Sequence, residues 1–257
     1  MRVCLIASGS KGNAIYLESR ESRVLIDAGL SATELSQRLR RMGVEPETLD
    51  AILVSHEHGD HMRGVGPLSR RYRLPVHINP ETRQAFPALG TISTIEEFDA
   101  GASFCCRDLW VETIPLTHDA AQPVGYVIKT REGKVGIATD LGIGTRLVRE
   151  RLKGCRVLVL EANHDEILLR DGPYPWPLKQ RIRGNHGHLS NGACAELLAD
   201  LLWDGLEVVF LAHLSETNNR AELALSEVQR VLDGQNFCHP QLIVGRQDVP
   251  SLCVALT

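Results

Sequence analysis

The hexapeptide His56-Glu57-His58-Gly59-Asp60-His61 constrains this chain more than any other feature. Four metal-capable side chains fall within six residues, directly behind an apolar run, Ala51-Ile52-Leu53-Val54, that reads as a short buried strand. The glycine and the polar crowding after the run read as a strand-to-helix loop. Imidazoles and carboxylates at this density repel one another once protonated and occupy core space without filling it. A pair of divalent metal ions removes both difficulties, because neutral His and ionised Asp are metal ligands. The competing reading is a solvated polar loop that happens to carry histidines.

What lies elsewhere in the chain decides between them. Asp27 ends the apolar run Val24-Leu25-Ile26, His118 follows Val111–Leu116, Asp140 ends Val135–Thr139, and His213 ends Val208–Ala212. Open α/β folds place their sites at the carboxyl ends of strands. One such residue alone is ordinarily a cap or a core group. Five strand ends, one of them carrying the hexapeptide, point to a shared site.

The 257 residues suffice for one large α/β domain, and 43% apolar content supports a sizeable core. Net charge is −4, which does not advertise a nucleic-acid binder but leaves room for a local basic patch. No run approaches the roughly 20 apolar residues of a membrane span. The start, Met1–Ile6 followed by Ser8–Asn13, lacks a signal-peptide pattern. Seven scattered cysteines read as reduced core thiols of a cytoplasmic protein rather than a disulfide framework.

Strands are expected at Arg2–Ala7, Ala14–Glu18, Ser22–Asp27, Ala51–Val54, Leu109–Leu116, Pro123–Thr130, Lys134–Thr139, Val157–Leu160, Glu207–Ala212, Gln241–Val244 and Leu252–Leu256. Helices are expected at Thr33–Met42, Asn191–Trp203 and Ala221–Leu232. Pro173-Tyr174-Pro175-Trp176-Pro177 reads as a rigid surface loop, and the clusters Arg38-Arg40-Arg41 and Arg70-Arg71-Arg73 as ordinary helix surfaces. With no linker and no internal repeat, residues 1–257 read as one domain of two sheets flanked by helices.

In order and spacing, Asp27, the hexapeptide, His118, Asp140 and His213 resemble the metallo-β-lactamase superfamily over nearly the whole chain. The resemblance implies a four-layer αβ/βα sandwich with a dinuclear site at the sheet edges. His56, His58 and His118 would hold one ion, and Asp60, His61 and His213 the other. Asp140 would bridge the two ions, and Asp27 would orient the hexapeptide loop. The ions implied are zinc or manganese, with iron as a third option. Two ions about 3.5–4 Å apart can share a hydroxide and clamp substrate oxygens. That supports hydrolysis of a phosphate ester, thioester, lactone or amide alike.

Motifs outside the ligand set narrow the choice. Ala7–Ala14, Thr117–Ala120, Glu161–Asp165, Tyr174–Ile182, Gly187–Asn191 and Ala212–Asn219 together are similar to the YycJ/WalJ family of bacterial proteins. That family implies a metal-dependent 5′→3′ exonuclease acting on DNA, with a role in DNA repair. The alternative is a small-molecule hydrolase such as a glyoxalase-II-like thioesterase or a lactonase. A third reading is a non-enzymatic scaffold, against which the complete ligand set argues.

For a phosphodiester substrate, Ser8 and Asn13 lie in a Gly-rich turn able to present backbone N–H groups to phosphate; the alternative there is a plain hairpin turn. Lys179, Arg181 and Arg183 sit beside Tyr174 and Trp176, a combination suited to a DNA strand, or else a solvated helix face. His164 and His188 are candidates to contact the scissile phosphate or protonate the leaving oxygen, and Asp60 is counted with the catalytic groups as well as the ligands. Ser190 and Asn191 are candidate helix caps. Ser215, Asn218 and Asn219 follow His213 directly and are candidates to line the site or, alternatively, to cap the next helix. His77, His186 and His239 read as structural.

Overall fold

In the computed structural model, which describes residues 1–256, the chain forms two seven-stranded mixed sheets. The first half runs β1 (Arg2–Ala7), β2 (Ala14–Glu18), β3 (Arg23–Ile26), α1 (Ala32–Arg41), β4 (Ala51–Leu53), α2 (Gly59–Met62), α3 (Val65–Tyr72), β5 (Val76–Ile78), α4 (Pro80–Ala85) and β6 (Ile95–Glu97). The second runs β7 (Ser103–Cys106), β8 (Leu109–Pro115), β9 (Val124–Thr130), β10 (Gly133–Ala138), α5 (Arg146–Leu152), β11 (Val157–Glu161), α6 (Glu166–Asp171), α7 (Trp176–Arg183), α8 (Asn191–Ala199), β12 (Val208–Ala212), α9 (Ala221–Asp233), β13 (Gln241–Val244) and β14 (Val254–Ala255).

Strand order is β14-β1-β2-β3-β4-β5-β6 in one sheet and β13-β12-β11-β10-β9-β8-β7 in the other. In each, the antiparallel part is a meander, and the parallel part is joined through helices. The alternation of side chains along each strand builds three apolar layers. In β11, Val157 and Val159 point into the core between the sheets with Val3, Leu5, Tyr126 and Phe210, while Leu158 and Leu160 point out beneath α8 and α9. In β1, Val3 and Leu5 face in, and Cys4 and Ile6 face out beneath α1. The layering is therefore helix, sheet, sheet, helix, the αβ/βα sandwich expected from the sequence. Because both parallel halves end at the same edge, the carboxyl ends of β3, β4, β10, β11 and β12 open together.

Several local expectations need correction. Pro173–Pro177 is not a loop throughout: Pro175 caps α7, and Pro177 sits in its first turn, where a missing N–H costs nothing. The helix expected over Asn191–Trp203 stops at Ala199 and is capped by Ser190, whose Oγ accepts from Ala193 N. Helices α3 to α6 are too short, or too evenly polar, to have announced themselves. Arg38 is no surface residue: it is 6% exposed, and its guanidinium donates to Ile6 O at 3.1 Å and Gln247 O at 2.8 Å. It thereby ties α1 to β1 and to the chain after β13. Within the other expected surface clusters, Arg40 pairs with Glu45 and Glu47, and Arg70 donates to Leu89 O at 2.9 Å.

Candidate metal centre

The hexapeptide turns out of β4 into α2, which starts at Gly59 behind His58. Two backbone hydrogen bonds lock this loop to its neighbours, Ala28 N to His61 O and Asn13 N to Asp60 O, and Gly29 N to Asn13 O ties those neighbours to each other. Gly29 is forced by that approach, since a Cβ there would lie 1.6 Å from Asp60 O. Asp27, Asp140 and His213 all adopt left-handed backbone, with φ of 61°, 61° and 57°. Non-glycine residues seldom do so, and such strain collects at functional sites.

The side chains these elements deliver converge. His56, His58 and His118 offer ligand atoms within 4.8 Å of one another, and so do Asp60, His61 and His213. Between the two groups lies Asp140, with Oδ2 3.2 Å from His61 Nε2 and Oδ1 3.9 Å from His118 Nε2. His58 Nδ1 and His118 Nε2 face each other at 3.2 Å. His213 Nε2 lies 3.5 Å from Asp60 Oδ2. His56 Nε2 is buried without a hydrogen-bond partner, and Asp140 Oδ2 and His213 Nε2, also buried, face only other members of the cluster. Buried polar atoms are rarely left so. An inward ring of orphaned imidazole nitrogens and carboxylate oxygens fits divalent cations.

The outward nitrogens of His56, His61, His118 and His213 are engaged, which turns their inward lone pairs toward the centre. His61 Nδ1 meets Asp27 Oδ2 at 2.8 Å, His56 Nδ1 meets Ser55 Oγ at 2.9 Å, His118 Nδ1 meets Gly187 O at 3.0 Å, and His213 Nδ1 meets Glu161 Oε1 at 2.8 Å. Asp27 also accepts from Ser55 N and Ser55 Oγ. Burial, and the imidazoles around it, hold His56 well below its usual pKa. Burial would lower His61 too, but the Asp140, Asp27 and Asp60 carboxylates hold it well above. A proton held there occupies the position a cation would take.

Glu161 is the functional residue that sequence reasoning overlooked. It is fully buried at the end of β11, and its carboxylate takes four hydrogen bonds. Oε1 accepts from His213 Nδ1 at 2.8 Å and from His188 Nδ1 at 2.7 Å. Oε2 accepts from Leu141 N at 3.0 Å and Leu189 N at 3.1 Å. Burial alone would raise its pKa, yet the two histidines draw it down to about 2. It stands near Asp140, His188 and His213 in a cluster that could itself hold an ion, but its acceptor positions are already spent on N–H donors. The signal was present: Glu161 ends an apolar strand as Asp140 and His213 do. Glu161→Gln is expected to lower metal affinity or turnover by about 10–100-fold, as loss of outer-shell partners generally does. Metal titration beside steady-state rates checks this.

The remaining candidates separate. Asn13 Nδ2 lies 3.2 Å from Asp60 Oδ2 and 3.1 Å from His61 Nε2, and Ser8 Oγ accepts from His213 N at 2.7 Å. In the Ser8–Asn13 turn, the backbone N–H groups of Ser8, Gly9, Lys11, Gly12 and Asn13 donate within the protein, which favours the plain-turn alternative for those five. Lys179 reaches Arg170 O at 2.7 Å, away from the cage. Asn218 is fully buried, without access to a ligand at the surface. His164 is buried as well, and that burial lowers its pKa to about 4, so it is neutral at pH 7.

His188, Arg181 and Ser215 do reach open space. His188 and Arg181 line both the metal cleft and a second pocket beside it, which Ser215 also lines. The His188 ring lies 5.0 Å from that of His118 and 5.1 Å from that of His213. With Nδ1 held by Glu161, its other nitrogen is the one left for the cleft. Arg181 pairs with Asp119, next to His118. His77 is stacked on Phe104, a structural role.

Residues 22–213 match the model of the beta-lactamase superfamily domain. The exodeoxyribonuclease YycJ of Bacillus anthracis is 38% identical over 236 residues, covering 91% of this chain and 89% of that protein. The exodeoxyribonuclease WalJ of Streptococcus pneumoniae is 37% identical over 225 residues, covering 86% and 84%. Among solved structures, the metallo-β-lactamase fold protein YhfI from Bacillus subtilis superposes with a TM-score of 0.75 at 15% identity, over 98% of each chain.

Proposed function

Since the chain belongs to the metallo-β-lactamase superfamily and, within it, to the family of the YycJ and WalJ exodeoxyribonucleases, we propose that it is a metal-dependent nuclease that removes nucleotides from DNA ends in the 5′→3′ direction. The observation that carries the reading is a pocket that shares a wall with the metal cage. Ser10, Arg181 and His188 border both, and Asp119, Asn163, Tyr174, Leu178, Ile182 and Ser215 complete it. The cavity measures about 180 Å³ and is open to solvent on one side. Leu178, Arg181 and Ile182 come from one face of α7, a helix with no buried residue. Tyr174 offers a ring for a base, and the apolar pair a surface for its other side. A terminal nucleotide seated here has its phosphodiester at the shared wall, beside His188.

His56, His58, His118, Asp140, Asp60, His61 and His213 would hold two divalent ions, whose chemistry there would be to acidify water and to polarise phosphoryl oxygens. The chain's own residues do the rest. Asp27, Ser55, Gly187 and Glu161 fix the imidazoles. Arg181, held by Asp119, sets a positive charge beside the phosphate path. His188, whose pKa Glu161 raises against the effect of burial, turns its free nitrogen to the cleft, in place to deliver a proton to the departing sugar oxygen. No helix among the described residues is long and apolar enough to cross a membrane.

The deciding experiment compares the metal-loaded protein on end-labelled DNA and on S-lactoylglutathione. DNA turnover with an inert thioester supports the reading; thioester turnover with intact DNA replaces it with the small-molecule hydrolase. The pocket has its own check. Leu178→Trp, on a partly exposed helix face, is expected to lower DNA degradation by at least about tenfold through lost positioning. Hydrolysis of bis(p-nitrophenyl) phosphate, which needs only the cage, should stay near wild type.

A further inference from the structure

Five of the seven cysteines are buried; Cys4 is one of them, whereas Cys253 is exposed. Strand β14 runs antiparallel to β1 with Arg2 opposite Ala255 and Val3 opposite Val254. One step further, that register sets Cys4 opposite Cys253. Met1 and Leu256 exchange both backbone hydrogen bonds at 2.8 Å. The alternation of an antiparallel ladder then makes Cys4 and Cys253 a non-hydrogen-bonded pair, in which Cα atoms approach to about 4.5 Å and side chains come closest. A disulfide bridges Cα separations of about 4.4–6.8 Å. Directly opposed residues share a face, so the two thiols emerge side by side. Their mutual influence agrees: a hydrogen bond from Cys4, with Arg2 nearby, draws the Cys253 thiol down to about 7, while the same contact and burial push Cys4 up.

We propose that Cys4 and Cys253 form a reversible disulfide that staples the carboxyl-terminal strand onto β1. The exposed Cys253, as thiolate, attacks a small-molecule disulfide such as oxidised glutathione and expels one thiol. Cys4 gives up its proton and attacks the Cys253 sulfur of the mixed disulfide, expelling the second thiol. Two protein thiols are oxidised to one disulfide, and one external disulfide is reduced to two thiols. The bond closes a loop spanning nearly the whole chain, the case in which a crosslink most restricts the unfolded state. It also secures the segment that supports the Ser8–Asn13 turn: Arg246 O accepts from Ser8 N at 3.0 Å, and Gln247 Oε1 accepts from Lys11 N at 2.8 Å. That turn holds His213 and Asp60 in turn.

The test exposes the metal-loaded protein to oxidised glutathione and reads intact mass, peptide maps and thermal unfolding. The expected product is lighter by two hydrogens, yields a Cys4–Cys253 linked peptide, melts several degrees higher, and reverts with dithiothreitol. Cys4→Ser should instead trap glutathione on Cys253, because no second thiol resolves the adduct. Cys253→Ser should show no shift in melting. A stable glutathione adduct on Cys253 in the wild type, a crosslink through exposed Cys105, or an unreacted Cys253 would each overturn the proposal.

Discussion

Replacing Asp140 by alanine is expected to empty at least one metal position and to lower DNA turnover by about three orders of magnitude or more. Asp140 lies between the two histidine groups, with Oδ2 3.2 Å from His61 Nε2 and Oδ1 3.9 Å from His118 Nε2. It is also the buried negative charge that offsets the imidazoles around it; although burial opposes ionisation, His213 and His61 hold its pKa well below the usual carboxylate range. Alanine in left-handed backbone adds strain of about 1–2 kcal/mol, so Asp140→Asn, which tolerates that conformation, serves as the companion. Both variants should fold, as thermal unfolding without metal will read, and both should bind fewer than two ions per chain. Full occupancy in a dead enzyme would move Asp140 from holding the metals to some other role.

His188→Ala tests a different part of the account. Loss of a general acid costs about 10²–10⁴-fold, but only where the leaving group needs the proton. A deoxyribose oxygen needs it, whereas p-nitrophenolate leaves as a stable anion. The expected outcome is therefore a split: DNA cleavage falls by about 10²–10⁴-fold, while hydrolysis of bis(p-nitrophenyl) phosphate falls far less and metal content is unchanged. Equal losses on both substrates would make His188 a scaffold for Glu161 and His213. The corresponding change at His164, which is buried and lines neither cleft, should produce no such split.

The residues that converge at the site were legible because metal binding needs rare residue types at strand ends. Asp27, Asp140 and His213 each follow an apolar run that could only be a buried strand. Glu161 obeys the same rule at the end of β11 but was hidden by the neighbouring His164, whose chemistry looked the more suggestive. The sandwich was legible from alternating short strands, and its three apolar cores follow from β11 and β1 having two apolar faces each. Helix α7 was not, since Pro173, Pro175 and Pro177 look like loop until one sees that proline is tolerated at a helix start. Nor was the burial of Arg38, whose partners Ile6 O and Gln247 O lie 32 and 209 residues away. Left-handed backbone at Asp27, Asp140 and His213 leaves no mark in the sequence, because Asp and His occupy that region without glycine's help.

The central claim, a metal cage acting on DNA ends, is tested most directly by the first product released from 5′-labelled DNA. Substrates carrying a 5′-phosphate or a 5′-hydroxyl should be compared, with metal-loaded protein, metal-stripped protein and His61→Ala run side by side. The account predicts labelled mononucleotide from the first turnover, none from the stripped protein until Mn²⁺ or Zn²⁺ is restored, and none from His61→Ala. Labelled internal fragments, or intact DNA in the presence of a fully loaded cage, would contradict it.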